Sequence, residues 1–566
     1  MDKLFLVNGK LHTQDPAYPH ATAVAISGGR IWAVGGDEDV RALAGPDAQL
    51  IDLEGRRVLP GLTDSHFHYY DWALGLRRLP LAAADSLADV RARLAQKVAD
   101  SRHPSETPPG RWILGQGWNE TRWPDPQIPT RADLDDVAPD HPVILWRNDL
   151  HLAVVNSLAL QEAGVTGDTP DPPEGVIDRD ESGQPTGVLR DLAINLVSDV
   201  LPPPTEEETA EAMRDGFAIL HRLGLTGVHD YRIMGGADGP PAFRAYQRLQ
   251  ADGELALRMW MHIPGERLDE AIALGLRTGF GDDTLRVGHV KLFSDGGQGA
   301  RTAWMLEPYD DVGHCGIPLT PMEEIAEAVR RADRAGLAVA VHAIGDRANR
   351  ELLGVFEQVL SADGTDRCGR RHPGDRAAAA DEVHSLESRS TAPPLAPHRI
   401  EHVQNIHPDD VARFARLGIV ASVQPIHVTD DIPMMEKSVG PRSRFAYPFR
   451  DMLDAGIVLA LGTDCPVANP NPLWNIHAAV TRQTRDGTPA GGWYPEQRMS
   501  VAEAVWGHTM GAARVTGREA ALGSISPGKL ADLIVLDRDI FAIESMEIAQ
   551  AQVVVTVFNG RIVYQR

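Results

Sequence analysis

The sequence predicts an α/β fold in which a (β/α)8 barrel is joined to a small β-sandwich, and three observations predict it. Eight short runs, apolar on both faces, recur through the middle of the 566-residue chain, and amphipathic stretches separate some of them. That is the pattern of a parallel sheet covered by helices. Both chain ends instead carry short β-type segments with turn punctuation. A pair of terminal strands cannot hide its apolar face alone, so the economical arrangement is one composite sandwich from residues 1–58 and 513–566.

The elements follow in order. Near the N-terminal end, residues 4–7, 23–26 and 31–34 read as strands, punctuated by Asn8-Gly9 and Gly28-Gly29. The barrel, residues 59–512, draws its eight strands from 58–68, 225–231, 255–263, 285–295, 337–345, 399–404, 419–424 and 457–464. Helices are expected over 205–223, 322–335, 348–360 and 408–417. In such a TIM-like barrel the chemistry belongs at the C-terminal ends of the strands. Residues from about 70 to 204 leave the barrel after its first strand and carry β-like runs of their own at 112–115 and 143–146. We expect an inserted subdomain there, at the barrel's mouth. Residues from about 362 to 397, rich in Arg, Ala, Asp, Ser, Pro and Gly, are expected to form a flexible surface insertion without chemistry of its own. Runs at 532–537, 553–558 and 561–564 then complete the sandwich.

Composition removes several functions. The 55 basic against 79 acidic residues leave a net charge of −24, and no Lys/Arg run could track phosphates, so nucleic acid and anionic membrane surfaces are poor partners. No apolar stretch approaches the roughly 18 residues of a membrane span. Polar residues interrupt the first ten positions before a signal-peptide core could form, so a cytoplasmic location is expected. Cys315, Cys368 and Cys465 show neither zinc-knuckle nor redox spacing, which leaves no role for disulfides or a thiolate metal site. The 21 histidines suit imidazole ligation instead.

Histidines and acids gather at the strand ends. The first run closes on Asp64-Ser-His66-Phe-His68, where a spacing of two puts both imidazoles on one side of a strand. By itself such a pair suits a packed strand equally well. The other ends add Lys291 and Asp295 in the fourth run, His342 in the fifth, His402 in the sixth and Asp464 in the eighth. Candidate ligands for Zn²⁺ or a similar ion thus accumulate on one face of the barrel.

The string Pro60-Gly-Leu-Thr-Asp-Ser-His-Phe-His68, followed by Lys291, His342, His402 and Asp464, resembles the metal-ligand set of the amidohydrolase superfamily of metal-dependent hydrolases. Val290-Lys-Leu-Phe-Ser-Asp-Gly296, Gly299-Ala-Arg-Thr302, Val341-His-Ala-Ile-Gly-Asp346, Arg190-Asp191 and Gly523-Ser-Ile-Ser-Pro-Gly-Lys-Leu-Ala-Asp-Leu533 resemble the subgroup that contains N-substituted formamide deformylase. The resemblance spans nearly the whole chain and fails only at 362–397. It implies the barrel with its composite sandwich, one or two divalent ions per chain with zinc the first candidate, and hydrolysis of an amide or related C–N bond. Such an ion lowers the pKa of bound water to about 7, so hydroxide is available at neutral pH. Asp464 would ligate the ion, accept the water's proton and hand it to the leaving amine, an acid that amides need because an amide anion leaves poorly. Lys291 is the odd member, since an ammonium beside a divalent cation is repelled. In related enzymes such a lysine is carboxylated to a carbamate bridging two metals; an uncharged or outward-pointing lysine is the alternative.

Further candidates carry two readings each. Asp64 and Asp295 would orient the ligand histidines from behind, or cap turns. His151, in the inserted segment, would contact substrate or polarise its carbonyl. Arg301 and Tyr231 would hydrogen-bond a carbonyl oxygen, or only close loops. Trp72, Trp118 and Trp304 would wall an N-substituent, or simply pack. Cys465 reads as a pocket-lining thiol rather than a nucleophile, and His229, His289, His398, His407 and His427 as core, surface or supporting residues. The leading substrate is a small amide such as an N-substituted formamide. The same site would serve an ester, lactone, carbamate or cyclic amide. A non-catalytic scaffold has no reason to keep the whole ligand set. A homodimer is expected as the commonest closed assembly.

Overall fold

The computed structural model describes residues 3–100, 110–147, 152–172, 175–362 and 394–566, so His151 and nearly all of the expected 362–397 insertion lie outside the described residues. The chain forms two compact units, Met1–Trp72 with Met213–Arg566, and Ala73–Ala212.

The larger unit contains the barrel. Its strands are β1 (Leu62–Phe67), β2 (Leu225–Asp230), β3 (Arg258–Pro264), β4 (Leu285–Phe293), β5 (Val339–Ala343), β6 (Arg399–His402), β7 (Val420–Val423) and β8 (Leu459–Leu461). All pair in parallel, each with its neighbours in sequence. A parallel bridge between Phe67 and Cys465 joins the last strand to the first, reinforced by the Asp464 N–H donating to the His66 carbonyl at 2.7 Å. The fold is thus the TIM-like barrel with additional sheets. Helices Glu206–Arg222, Met322–Arg334, Asp346–Ala362 and Pro408–Leu417 occupy the expected stretches. Met322–Arg334 shows why: Ile325, Val329 and Ala332 make one buried stripe, while Glu323 and Glu324 at its start and Arg331 and Arg334 at its end complement the helix dipole.

The run at 58–68 divides in two. Arg57–Pro60 joins the sandwich and β1 begins beyond Gly61, where a Cβ would collide with Thr226 Oγ1. Glycine therefore lets the chain cross from one sheet to the next against β2. One sandwich sheet orders Arg30–Gly35, Ala23–Ser27, Lys3–Val7 and Ala48–Asp52; the other orders Lys10–Leu11, Arg57–Pro60, Leu533–Leu536, Val553–Phe558 and Arg561–Gln565. Strand alternation sends Leu4 and Leu6 into the core between them, with Val24, Ile26, Val535 and Val557. Phe5 and Val7 pack on the other face with Val40.

The smaller unit is a six-stranded mixed sheet, ordered Gly175–Arg179, Pro185–Asp191, Leu152–Val155, Val143–Arg147, Ile113–Trp118 and Leu79–Pro80. Val143 and Leu145 face one apolar cluster and Ile144 another, so both faces are covered. Among the described residues no helix is long and apolar enough to cross a membrane.

Candidate metal centre

His66 closes β1 and His68 follows it, while Asp464 lies just beyond β8. Asp464 adopts a φ of 59°, a left-handed turn that aspartate tolerates better than most residues. Gly462 lets the end of β8 approach β1, since a Cβ there would strike the His66 backbone nitrogen. Asp464 Oδ1 consequently stands 3.5 Å from His66 Nε2 and 3.3 Å from His68 Nε2. One donor atom from each of the three lies within 4.8 Å of the others.

Two further imidazoles stand beside this group. The His402 ring centroid is 4.8 Å from that of His66 and 4.5 Å from that of His342. His402 and Val403 take φ values of 73° and 43°, which ends the strand alternation at the close of β6. Lys291 is buried inside β4, 2 % exposed, with Nζ 4.7 Å from the ring centroids of Tyr231 and of Phe293. Burial pushes its pKa down to about 8, against the opposing pull of Glu401 and Asp464.

The donor set fits a divalent ion. Burial lowers the pKa of His66 to about 4 and of His342 to about 3, and holds His402 well below the usual imidazole range, so the rings are neutral and offer lone pairs. Burial opposes ionisation of Asp464, yet His66, His68 and His402 hold its carboxyl well below the usual range. His66 Nε2 is buried and has no hydrogen-bond partner, while its Nδ1 sits 2.7 Å from Glu401 Oε2. His402 Nδ1 faces Gln424 Oε1 at 2.9 Å. Mixed imidazole and carboxylate donors suit zinc and its first-row neighbours.

The remaining candidates divide. Asp64 does not take a ligand ring: it accepts from the His66 N–H at 3.0 Å and from Thr463 N–H and Oγ1 at 3.1 and 2.6 Å, tying the ends of β1 and β8. Asp295 accepts from Ile344, Gly345 and Trp304 N–H groups at 2.8–3.0 Å and stands 3.7 Å from His342 Nε2. Burial pushes both carboxyls up to about 7. Tyr231 lies at the site, stacked on His66 at 3.7 Å with ring planes 4° apart. Arg301 is taken by Asp311, Nη2 to Oδ2 at 2.8 Å, and by the Gln298 carbonyl at 2.9 Å, so it closes its own loop. Trp118 is buried in the core of the smaller unit with its N–H on the Leu145 carbonyl at 3.0 Å, which makes it a packing residue there. Trp72 sits edge-on to Phe67, and Trp304 lies under Arg347. Cys465 is buried, which pushes its thiol well above the usual range and denies it a nucleophile's role. Of the extra histidines, His229 faces Arg399, His289 accepts from Trp260, His398 pairs with Asp333 and His407 caps the helix Pro408–Leu417.

Sequence reasoning passed over Glu401, Arg399 and Gln424. The signal for the first two is present in β6, where Arg399 and Glu401 share one strand face immediately before the ligand-type His402.

The model of the Amidohydrolase family matches residues 49–564. Protein LONG AFTER FAR-RED 3 of Arabidopsis thaliana is 34% identical over 570 residues, covering 99% of this chain and 91% of its own length. N-substituted formamide deformylase of Arthrobacter pascens is 29% identical, covering 100% and 99%. The crystal structure of a metal-dependent hydrolase from Pyrococcus horikoshii OT3 matches with a TM-score of 0.75 at 27% identity, over 96% of this chain and 99% of that one.

Proposed function

The chain belongs to the amidohydrolase family of metal-dependent hydrolases, and on that premise we propose that it hydrolyses an amide C–N bond in a small molecule, with N-substituted formamides as the first class to test. The observation that carries this reading is the convergence of His66, His68 and Asp464, whose donor atoms lie within 4.8 Å of one another at the C-terminal mouth of the barrel. His66, His68 and Asp464 would hold a divalent ion, zinc by preference, with His342, His402 and Lys291 available to a second. Such an ion supplies Lewis acidity, acidifying water and polarising a carbonyl. The Asp464 carboxylate would accept the proton of the attacking water and return it to the leaving nitrogen, serving first as base and then as acid. Burial keeps part of Lys291 as the neutral amine near neutral pH, the form that takes up CO2 to become a carbamate.

The test is the metal content of protein purified without added metal, read beside Lys291→Ala and beside amine release from N-substituted formamides. We expect about two ions per chain, the number of a bridged two-metal site, falling when Lys291 is removed. A single ion indifferent to Lys291 overturns the carbamate. No metal, and none taken up on reconstitution, overturns the hydrolytic reading itself.

A further inference from the structure

Beneath the ligand cluster the barrel holds an ion pair that the proposed chemistry does not use. Arg399 and Glu401, two residues apart on β6, are both fully buried, with Arg399 Nε donating to Glu401 Oε1 at 2.6 Å and Nη2 to Oε2 at 3.2 Å. The same guanidinium donates to the Ser65 carbonyl of β1 at 2.8 Å and faces His229 Nδ1 of β2 at 3.1 Å. Glu401 Oε2 then crosses the barrel to His66 Nδ1 at 2.7 Å. Removing two charges from water is costly, and an apolar pair of equal volume often packs as stably, so stability alone is a weak account of this pair.

The geometry supplies another account. A carboxylate neutralised by a guanidinium only accepts hydrogen bonds, so His66 Nδ1 carries the ring proton and Nε2 the lone pair. That lone pair belongs to the nitrogen 3.5 Å from Asp464 Oδ1. Arg399 also grips the Ser65 backbone beside His66, so the ring and the strand end that bears it are held from one point. We propose that Glu401, clamped by Arg399, is a positioning residue that fixes the tautomer and orientation of His66 and thereby sets how tightly the cluster binds its divalent ion. Partners behind a ligand imidazole typically change metal affinity by about 10–100-fold when removed. The proposal rests on reading His66, His68 and Asp464 as the metal site.

The experiment titrates Zn²⁺ into metal-freed full-length protein, records the visible spectrum after Co²⁺ loading, and follows unfolding of each variant. Glu401→Gln keeps volume and one acceptor but loses the charge, and we expect about tenfold weaker Zn²⁺ binding; Glu401→Leu loses both, and about 100-fold is expected, with an altered Co²⁺ spectrum. If Glu401→Leu does not fold, because Arg399 is left buried and unpaired, the double variant Arg399→Met/Glu401→Leu decides. It removes both charges, should fold, and should still bind Zn²⁺ about 100-fold more weakly. Wild-type affinity and an unchanged Co²⁺ spectrum in the double variant overturn the proposal and leave a purely structural brace. Absence of metal uptake by the wild-type protein is a different failure, that of the metal-site reading.

Discussion

The barrel interior and the sandwich interior are equally buried and filled by opposite means. Between the sandwich sheets lie Leu4, Leu6, Val24, Ile26, Val535 and Val557, each contributing non-directional burial that neighbouring apolar residues could share. Within the barrel, at similar burial, lie His66, Lys291, His262, His289, Arg399 and Glu401. All of these but Lys291, which lies against the Tyr231 and Phe293 rings, interact through oriented hydrogen bonds, so replacing one strands its partner. The contrast separates what makes the chain fold from what makes it a catalyst, and it breaks if substitutions in the two interiors have interchangeable effects.

The largest effect is expected at Asp464. Asp464→Asn preserves size and tolerates the φ of 59°, so the backbone turn survives. On the proposed function, it removes the anionic donor and the proton acceptor together. We expect kcat for amide hydrolysis to fall on the order of 10³-fold or more, with metal content reduced and unfolding little changed. Retained activity in a metal-loaded Asp464→Asn protein would show that the proton is handled elsewhere.

The sandwich should answer in the opposite way. Leu6 is fully buried, and Leu6→Ala is expected to cost about 2–5 kcal/mol of unfolding free energy, as large-to-small core changes do. Metal stoichiometry and kcat of the folded fraction should stay at wild-type values. Denaturant unfolding beside a metal assay checks both, and a loss of metal from folded Leu6→Ala protein would join the two interiors that we separate.

That separation also governs what the sequence disclosed. The eight barrel strands were legible because parallel strands buried on both faces are continuous apolar runs, and His66, His68, His342, His402 and Asp464 because they end those runs. Ala48–Asp52 was not legible, since its partly exposed residues give no apolar run, and only pairing with Lys3–Val7 identifies it. The bend at Gly61 was hidden because residues 58–68 read as one run, whereas they serve two sheets. Glu401 was hidden for another reason. Its partner His66 is 335 residues away, and no local spacing marks a contact made across a barrel. Arg301 and Trp118 each carry two readings in the sequence, because the partners that place them, Asp311 and the Leu145 carbonyl, are also set by tertiary structure.

The smallest effect is expected at a surface counterpart of the buried ion pair, and it sharpens the comparison by changing the solvent while keeping the chemistry. Arg450 grips Glu503 through two hydrogen bonds, at 2.6 and 2.9 Å, and Glu503 also caps its helix by accepting from Ser500 N–H and Oγ. The Arg450 hydrogen bonds chiefly, with those from Ser500, bring its carboxyl down to about 2. A carboxyl lowered on folding stabilises the native state above its unfolded value of roughly 4.3, and that contribution disappears as pH falls toward the folded value. With side chains 29% and 34% exposed, solvent screens the pair, and its contribution at pH 7 is on the order of 1 kcal/mol. Glu503→Gln, which retains the capping group, should therefore lie about 1 kcal/mol below wild type at pH 7, with the gap narrowing below about pH 4.5 and shrinking with added salt. Urea unfolding across that range reads the gap directly. A gap constant from pH 7 to 3 would mean that the carboxylate's charge contributes nothing, whereas one that closes with pH and salt shows a charge pair bathed in solvent, unlike the Arg399–Glu401 pair inside the barrel.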